Sequence, residues 1–109
     1  MKKINIIKKN YDINNIINKR NMIKNKYFYI YKDNNSINNY RFAICVSKKI
    51  GNAVTRNKIK RQIKDILDKS NLVFKTNNDY VIIIRNEINN LNYKEIKENL
   101  INLISKVLD

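Results

Sequence analysis

The chain's only glycine, Gly51, stands inside the run V-S-K-K-I-G-N-A-V-T-R-N-K-I-K-R-Q-I-K, from Val46 to Lys64. Its residue types suit one kind of chemistry, the gripping of a polyanion. Ile59, Ile63, Ile66 and Leu67 recur at helical spacing and form one side, which predicts a helix with that side on a core. Arg56, Lys60, Arg61 and Lys64 then fall on the outer side. Cations spread over an exposed helix face meet a phosphate backbone at several points, and each contact releases condensed counterions. A solvated helix displays charge as well, so the composition of the whole chain decides between the two readings. With 23 Lys and Arg against 9 Asp and Glu, the 109 residues carry a formal charge of +14. A field of that size draws polyanions, and nucleic acid leads the partner classes.

Other chemistries lack their residues. There is no histidine, and the single cysteine, Cys45, has no partner, which sets aside zinc ligation and nucleophilic triads. Asp65 and Asp68 lie close on the basic helix among lysines, a setting that favours pairing within the helix over metal binding. One glycine is too few for a phosphate-binding loop. The chain therefore assembles no active site of its own, and any catalysis it joins must draw its chemistry from another molecule.

The same sequence bounds class and location. No apolar run approaches the roughly 18–20 residues of a membrane span, and the N-terminus lacks the apolar stretch of a signal peptide. No lipidation signal or aromatic amphipathic helix points to a membrane surface. A soluble, cytoplasmic protein without a membrane partner is expected. Cys45 lies in an apolar, strand-like run, so a buried, inert thiol is expected there. The length fits a single domain, residues 1–109. Asn, Ile and Lys dominate while Gly and Ala are scarce and Pro is absent. This bias reads as AT-rich codon usage, with the asparagines standing as generic polar residues.

Those residues need elements to hold them. Residues 1–9 form a basic N-terminal arm with Ile4, Ile6 and Ile7 partly tucked in. Asn10 is placed as the cap of a first helix whose Ile13, Ile16 and Ile17 make one apolar stripe and which ends near Arg20. Tyr27–Tyr31 and Tyr40–Val46 are aromatic and β-branched, predicting two antiparallel strands joined by the polar link 33–39. Gly51 and Asn52 turn the chain into the basic helix, which runs to about Lys69. Tyr80–Ile84 is continuously apolar, as a buried strand is, and it should lie parallel to the strand ending at Val46. Ile96, Leu100, Leu103, Ile104 and Val107 mark a C-terminal amphipathic helix, from about Tyr93 to Leu108. The fold class is α/β in the α+β two-layer sense, in the order α-β-β-α-β-α with room for one extra strand.

Val46–Lys64 resembles the signature of the bacterial ribonuclease P protein subunit, which joins a V-S-K-K turn, a G-N-A-V segment and an R-N-R-x-K-R helix. Ile7-Lys8-Lys9-Asn10 and the order of the remaining elements extend the similarity over nearly the whole chain. The resemblance implies a single α/β domain with the basic helix in a left-handed β-α-β crossover, against the usual right-handed rule. It also implies a function: assisting a catalytic RNA that removes the 5′ leader of precursor tRNA, with Mg²⁺ held mainly by RNA. The implied partners are that RNA and precursor tRNA, with no protein partner required. By the same resemblance Arg56, Asn57, Lys60 and Arg61 contact the RNA subunit, with Lys48, Lys49 and Asn52 at the neighbouring turn and Lys64 extending the surface. Lys58 joins this set but stands where the family has a second arginine, and an ammonium lacks the two-pronged phosphate contact of a guanidinium. The leader cleft is assigned Tyr31 and Phe28, the latter equally suited to the core, with Ile13 and Ile17 where many members carry phenylalanine. Stacking on aromatic rings tolerates any base.

Two rival readings share some of these features. A small ribosomal-type RNA-binding protein would show the same charge and size. A DNA-binding helix-turn-helix requires a helix before the basic one, and a strand stands there.

Overall fold

The computed structural model describes residues 1–108. Three helices, α1 (Asn10–Asn18), α2 (Ala53–Lys69) and α3 (Tyr93–Val107), accompany four strands, β1 (Met22–Lys24), β2 (Phe28–Asn34), β3 (Arg41–Val46) and β4 (Asn78–Ile84). The sheet order is β1-β2-β4-β3. The α+β class, the parallel pairing of β3 with β4 and the extents of α2 and α3 agree with the sequence reading.

The two aromatic strands are not neighbours. β4 inserts between them, antiparallel to β2 and parallel to β3. The continuous apolar run explains this place, since Tyr80, Val81, Ile82 and Ile84 are buried whichever face of the sheet they occupy. The extra strand β1 is a short hairpin partner of β2. Asn25 sets its turn, its Oδ1 accepting from the backbone N–H groups of Tyr27 and Phe28 at 2.8 and 2.9 Å.

Strand alternation divides the residues between two layers. One face buries Phe28, Ile30, Phe42, Tyr80, Ile82 and Ile84 beneath the apolar sides of α2 and α3. The opposite face carries Val81 and Ala43, with Ile7 and Ile16 from the arm and α1, and the half-buried Tyr31, Cys45 and Ile83. The thin α1 thus covers only part of its face.

The cap of α1 is Lys9, without a side-chain bond, and Asn10 is the first helical residue. α1 stops at Asn18, and Arg20 leaves it with φ 58°, in the left-handed region. The arm is anchored: Lys3–Asn5 make a 3-10 turn, Ile6 bridges to Phe42, Ile7 is buried, and the Met1 ammonium pairs with Asp68. Ile4 alone stays out, 64% exposed. Asp68 therefore pairs with the arm, while Asp65 pairs within its helix to Lys69 at 3.1 Å.

The asparagines are also more specific than generic polar residues. Asn5 is buried and donates to Asn39 Oδ1 at 3.0 Å and to the Tyr40 carbonyl at 2.8 Å. Asn92 and Glu95 form the capping box of α3.

Candidate nucleic-acid interface

α2 begins where the backbone turns tightly after β3. A Cβ on Gly51 would lie 2.9 Å from Thr55 Cγ2, so the first turn of α2 packs on a residue without a side chain. Asn52, assigned by resemblance to an RNA contact, serves the fold directly, since its Oδ1 accepts the Thr55 N–H at 2.9 Å and caps the helix. Its exposed position leaves its amide N–H₂ facing solvent.

The buried residues Ile59, Ile63, Ile66 and Leu67 hold α2 on the sheet. Its outer face presents Asn57, Lys58 and Arg61, all exposed, with Lys48 and Lys49 exposed on the preceding turn. Arg56, Lys60 and Lys64 are half-buried along one flank at i, i+4, i+8. The Arg56 Nε is buried with no hydrogen-bond partner among the described residues. Such a donor costs stability until an acceptor reaches it.

Lys60 and Lys64 overlook a groove of about 500 Å³ along the open edge of β3, with Ile7, Ile13, Cys45 and Ile83 among its lining. Both the half-exposed side of α1 and the cationic flank of α2 therefore open on one channel. Cys45 is half-buried in that wall rather than fully buried, and burial pushes its thiol pKa up, which keeps it in the unreactive protonated form. Neither Cys45 nor Ile83 carries a binding signal in the sequence. Both stand in apolar strand runs, and only the incomplete cover of α1 brings them to a surface.

The leader assignments separate. Ile13, Ile17 and Tyr31 gather on the α1 face, all half-buried. Phe28 does not join them. It is 0% exposed on the opposite face, packed in the main core, because an odd number of residues separates the faces along a strand and Phe28 lies three positions from Tyr31. Tyr29, next to Phe28, has the orientation that Phe28 lacks, and the Arg85 guanidinium lies 4.8 Å from its ring centroid.

At the other end of the α1 face, Arg41 Nε and a terminal guanidinium nitrogen donate to the two oxygens of Asp79 at 2.9 and 2.7 Å, and Asn35 adds a bond of 2.7 Å. Asp79 is 4% exposed. This two-pronged pair ties β3 to β4 and raises the Arg41 pKa through the Asp79 hydrogen bond.

The fold and this surface define a small, strongly cationic α+β protein in which one basic helix borders a groove. The family model described as Ribonuclease P matches residues 1–108. The ribonuclease P protein component of Mycoplasma mycoides subsp. mycoides SC is 41% identical over 108 residues, covering 98% of this chain and 99% of that protein. Among solved structures, the Staphylococcus aureus RNase P protein superposes with a TM-score of 0.84 at 37% identity, covering 98% of this chain and 100% of the other. The Thermotoga maritima RNase P protein gives 0.80 at 27% identity, covering 92% and 94%. The chain belongs to the ribonuclease P protein family.

Proposed function

We propose that this protein is the RNA-binding partner of a catalytic ribonuclease P RNA and that it helps remove the 5′ leader of precursor tRNA. One observation carries the reading: the α2 cations and the groove on the β3 edge share Lys60 and Lys64. A single protein surface then holds the RNA subunit on α2 and a single-stranded leader beside it. Arg56, Arg61, Lys48, Lys49 and Lys58 neutralise phosphates of the RNA subunit, and Asn57 adds a polar contact. The buried Arg56 Nε gains its acceptor there. Ile13 lines that groove, and Ile17 and Tyr31 continue the α1 face beyond it, giving the leader an aliphatic and aromatic surface that suits any base.

The chain's own residues bind and orient; they do not activate water. In this reading the Mg²⁺ of hydrolysis is held mainly by the RNA. Hydrolysis of the leader phosphodiester is RNA chemistry, and the protein adds affinity for the substrate that carries a leader. The ribosomal-type alternative has no observation in its favour, since it leaves the groove beside the cationic helix without a use.

Reconstitution with a bacterial ribonuclease P RNA and a precursor tRNA at low Mg²⁺ tests the reading. The expected result is leader cleavage well above that of RNA alone, with no cleavage by RNA-free protein. Equal cleavage with and without protein refutes it.

A further inference from the structure

A second depression, of about 430 Å³, lies between α2 and the N-terminal end of α3. At 100° per residue, Lys60 and Lys64 occupy one flank of α2, Asn57 and Arg61 its crest, and Lys58 and Gln62 the flank towards α3. The cationic band therefore crosses the helix from the β3-edge groove to this second depression, and a polyanion lying over α2 meets a recess on each side.

The second recess is built differently. Its floor is apolar, formed by Ile59, Ile88 and Ile96, all buried. Tyr93 forms a wall, 38% exposed, with its hydroxyl donating to Asp65 Oδ2 at 2.7 Å. That bond spans from α3 to α2 and holds the ring in place. Asp65 also pairs with Lys69, and Glu95 accepts from the Asn92 N–H, so both nearby carboxylates are engaged. Gln62 lines the recess with no hydrogen bond of its own among the described residues, and Lys58 stands exposed at the mouth. An apolar floor disfavours a phosphate, whereas a ring, an amide and a cation at the mouth match the face, edge and phosphate of one nucleotide.

We propose that the α2–α3 recess takes an unpaired nucleotide of the RNA subunit, stacked on Tyr93, with its base edge at Gln62 and its phosphate at Lys58. This rests on the reading of the chain as the partner of a ribonuclease P RNA. It gives Lys58 a role on a different flank from Lys60, one that a point charge fulfils without a guanidinium fork.

The test measures affinity for a bacterial ribonuclease P RNA across a salt series, together with chemical probing of its unpaired nucleotides. Tyr93→Ala should weaken binding at least about 5-fold with an unchanged log-log salt slope, because stacking releases no counterions. Tyr93→Phe, which keeps the ring, should retain most of the affinity. Lys58→Ala should reduce the slope by about 0.7–0.9. One unpaired nucleotide should be protected by the wild-type protein and exposed again with Tyr93→Ala. Wild-type affinity for a folded Tyr93→Ala, or equal losses for the Ala and Phe variants, overturns the proposal while leaving the subunit reading intact. Failure of the wild-type protein to bind the RNA refutes that reading instead. If Tyr93→Ala does not fold, Tyr93→Trp supplies the only tryptophan in the chain; stacking should quench it on RNA addition, and unchanged emission overturns the proposal.

Discussion

Arg20→Gly isolates a backbone cost at the C-terminal end of α1. Arg20 follows the end of α1 with φ 58°, and its N–H donates to the Ile17 carbonyl at 3.1 Å. This is the helix-terminating position that glycine ordinarily fills, because a Cβ in the left-handed region costs about 1–2 kcal/mol. Glycine gives back about 0.5–1 kcal/mol through the greater freedom of its unfolded chain. The side chain of Arg20 is exposed, so its packing contributes little. The net expectation is a stabilisation of about 0.5–1 kcal/mol, a rise in Tm of about 2–4 °C for a domain of this size. Thermal and urea unfolding of wild type, Arg20→Gly and Arg20→Ala measure it. The alanine variant matters because it removes the same positive charge from a +14 chain while keeping the Cβ. Equal stability of the glycine and alanine variants, or a glycine variant below wild type, refutes the reasoning.

Four further outcomes are expected. Arg56→Ala or Arg61→Ala should weaken binding to the RNA subunit and lower the log-log salt slope by about 0.7–0.9, and unchanged slopes in both would return α2 to an ordinary solvated helix. Tyr31→Ala should cost the holoenzyme about 1 kcal/mol or more in affinity for precursor tRNA while sparing mature tRNA, and equal losses for both RNAs would remove Tyr31 from the leader site. Asp79→Ala strands the Arg41 guanidinium, of which 22% remains exposed, and should destabilise the fold by about 3 kcal/mol in urea titration; a loss below about 1 kcal/mol would show the pair to be dispensable. Burial raises the Cys45 pKa in the folded state, so the stabilisation it brings is complete below the unfolded thiol pKa and is lost as pH rises through the folded one. The stability difference between wild type and Cys45→Ala should therefore shift against wild type from about pH 8 to 10, and a constant difference would contradict it.

Much of the molecule is legible in the sequence because its signals are local. α2 and α3 follow from the 3.6-residue apolar stripes of Ile59, Ile63, Ile66 and Leu67 and of Ile96, Leu100, Leu103 and Ile104, and both helices stand where the pattern puts them. The cationic face of α2 follows from the same periodicity, since fixing the apolar side fixes its opposite. The continuous apolar run of β4 announces burial on both faces.

The sequence by itself thus determined the elements, the charge, and which side of each helix is wet. What it left open is non-local. Strand order is one such matter: β2 and β3 read as a hairpin because they are consecutive, yet β4 takes the place between them, and pairing energy depends on neighbours remote in sequence. The layer of a side chain is another. Phe28 and Tyr31 are both aromatic residues on one strand, and composition cannot separate them, whereas the register with β4 sends Phe28 to the core and Tyr31 to the α1 face. The grooves belong to the same class, because a recess is the space that neighbouring elements fail to fill. Only the short α1 over the wide sheet, and the gap between α2 and α3, bring Cys45, Ile83, Gln62 and Tyr93 to the lining of surface grooves.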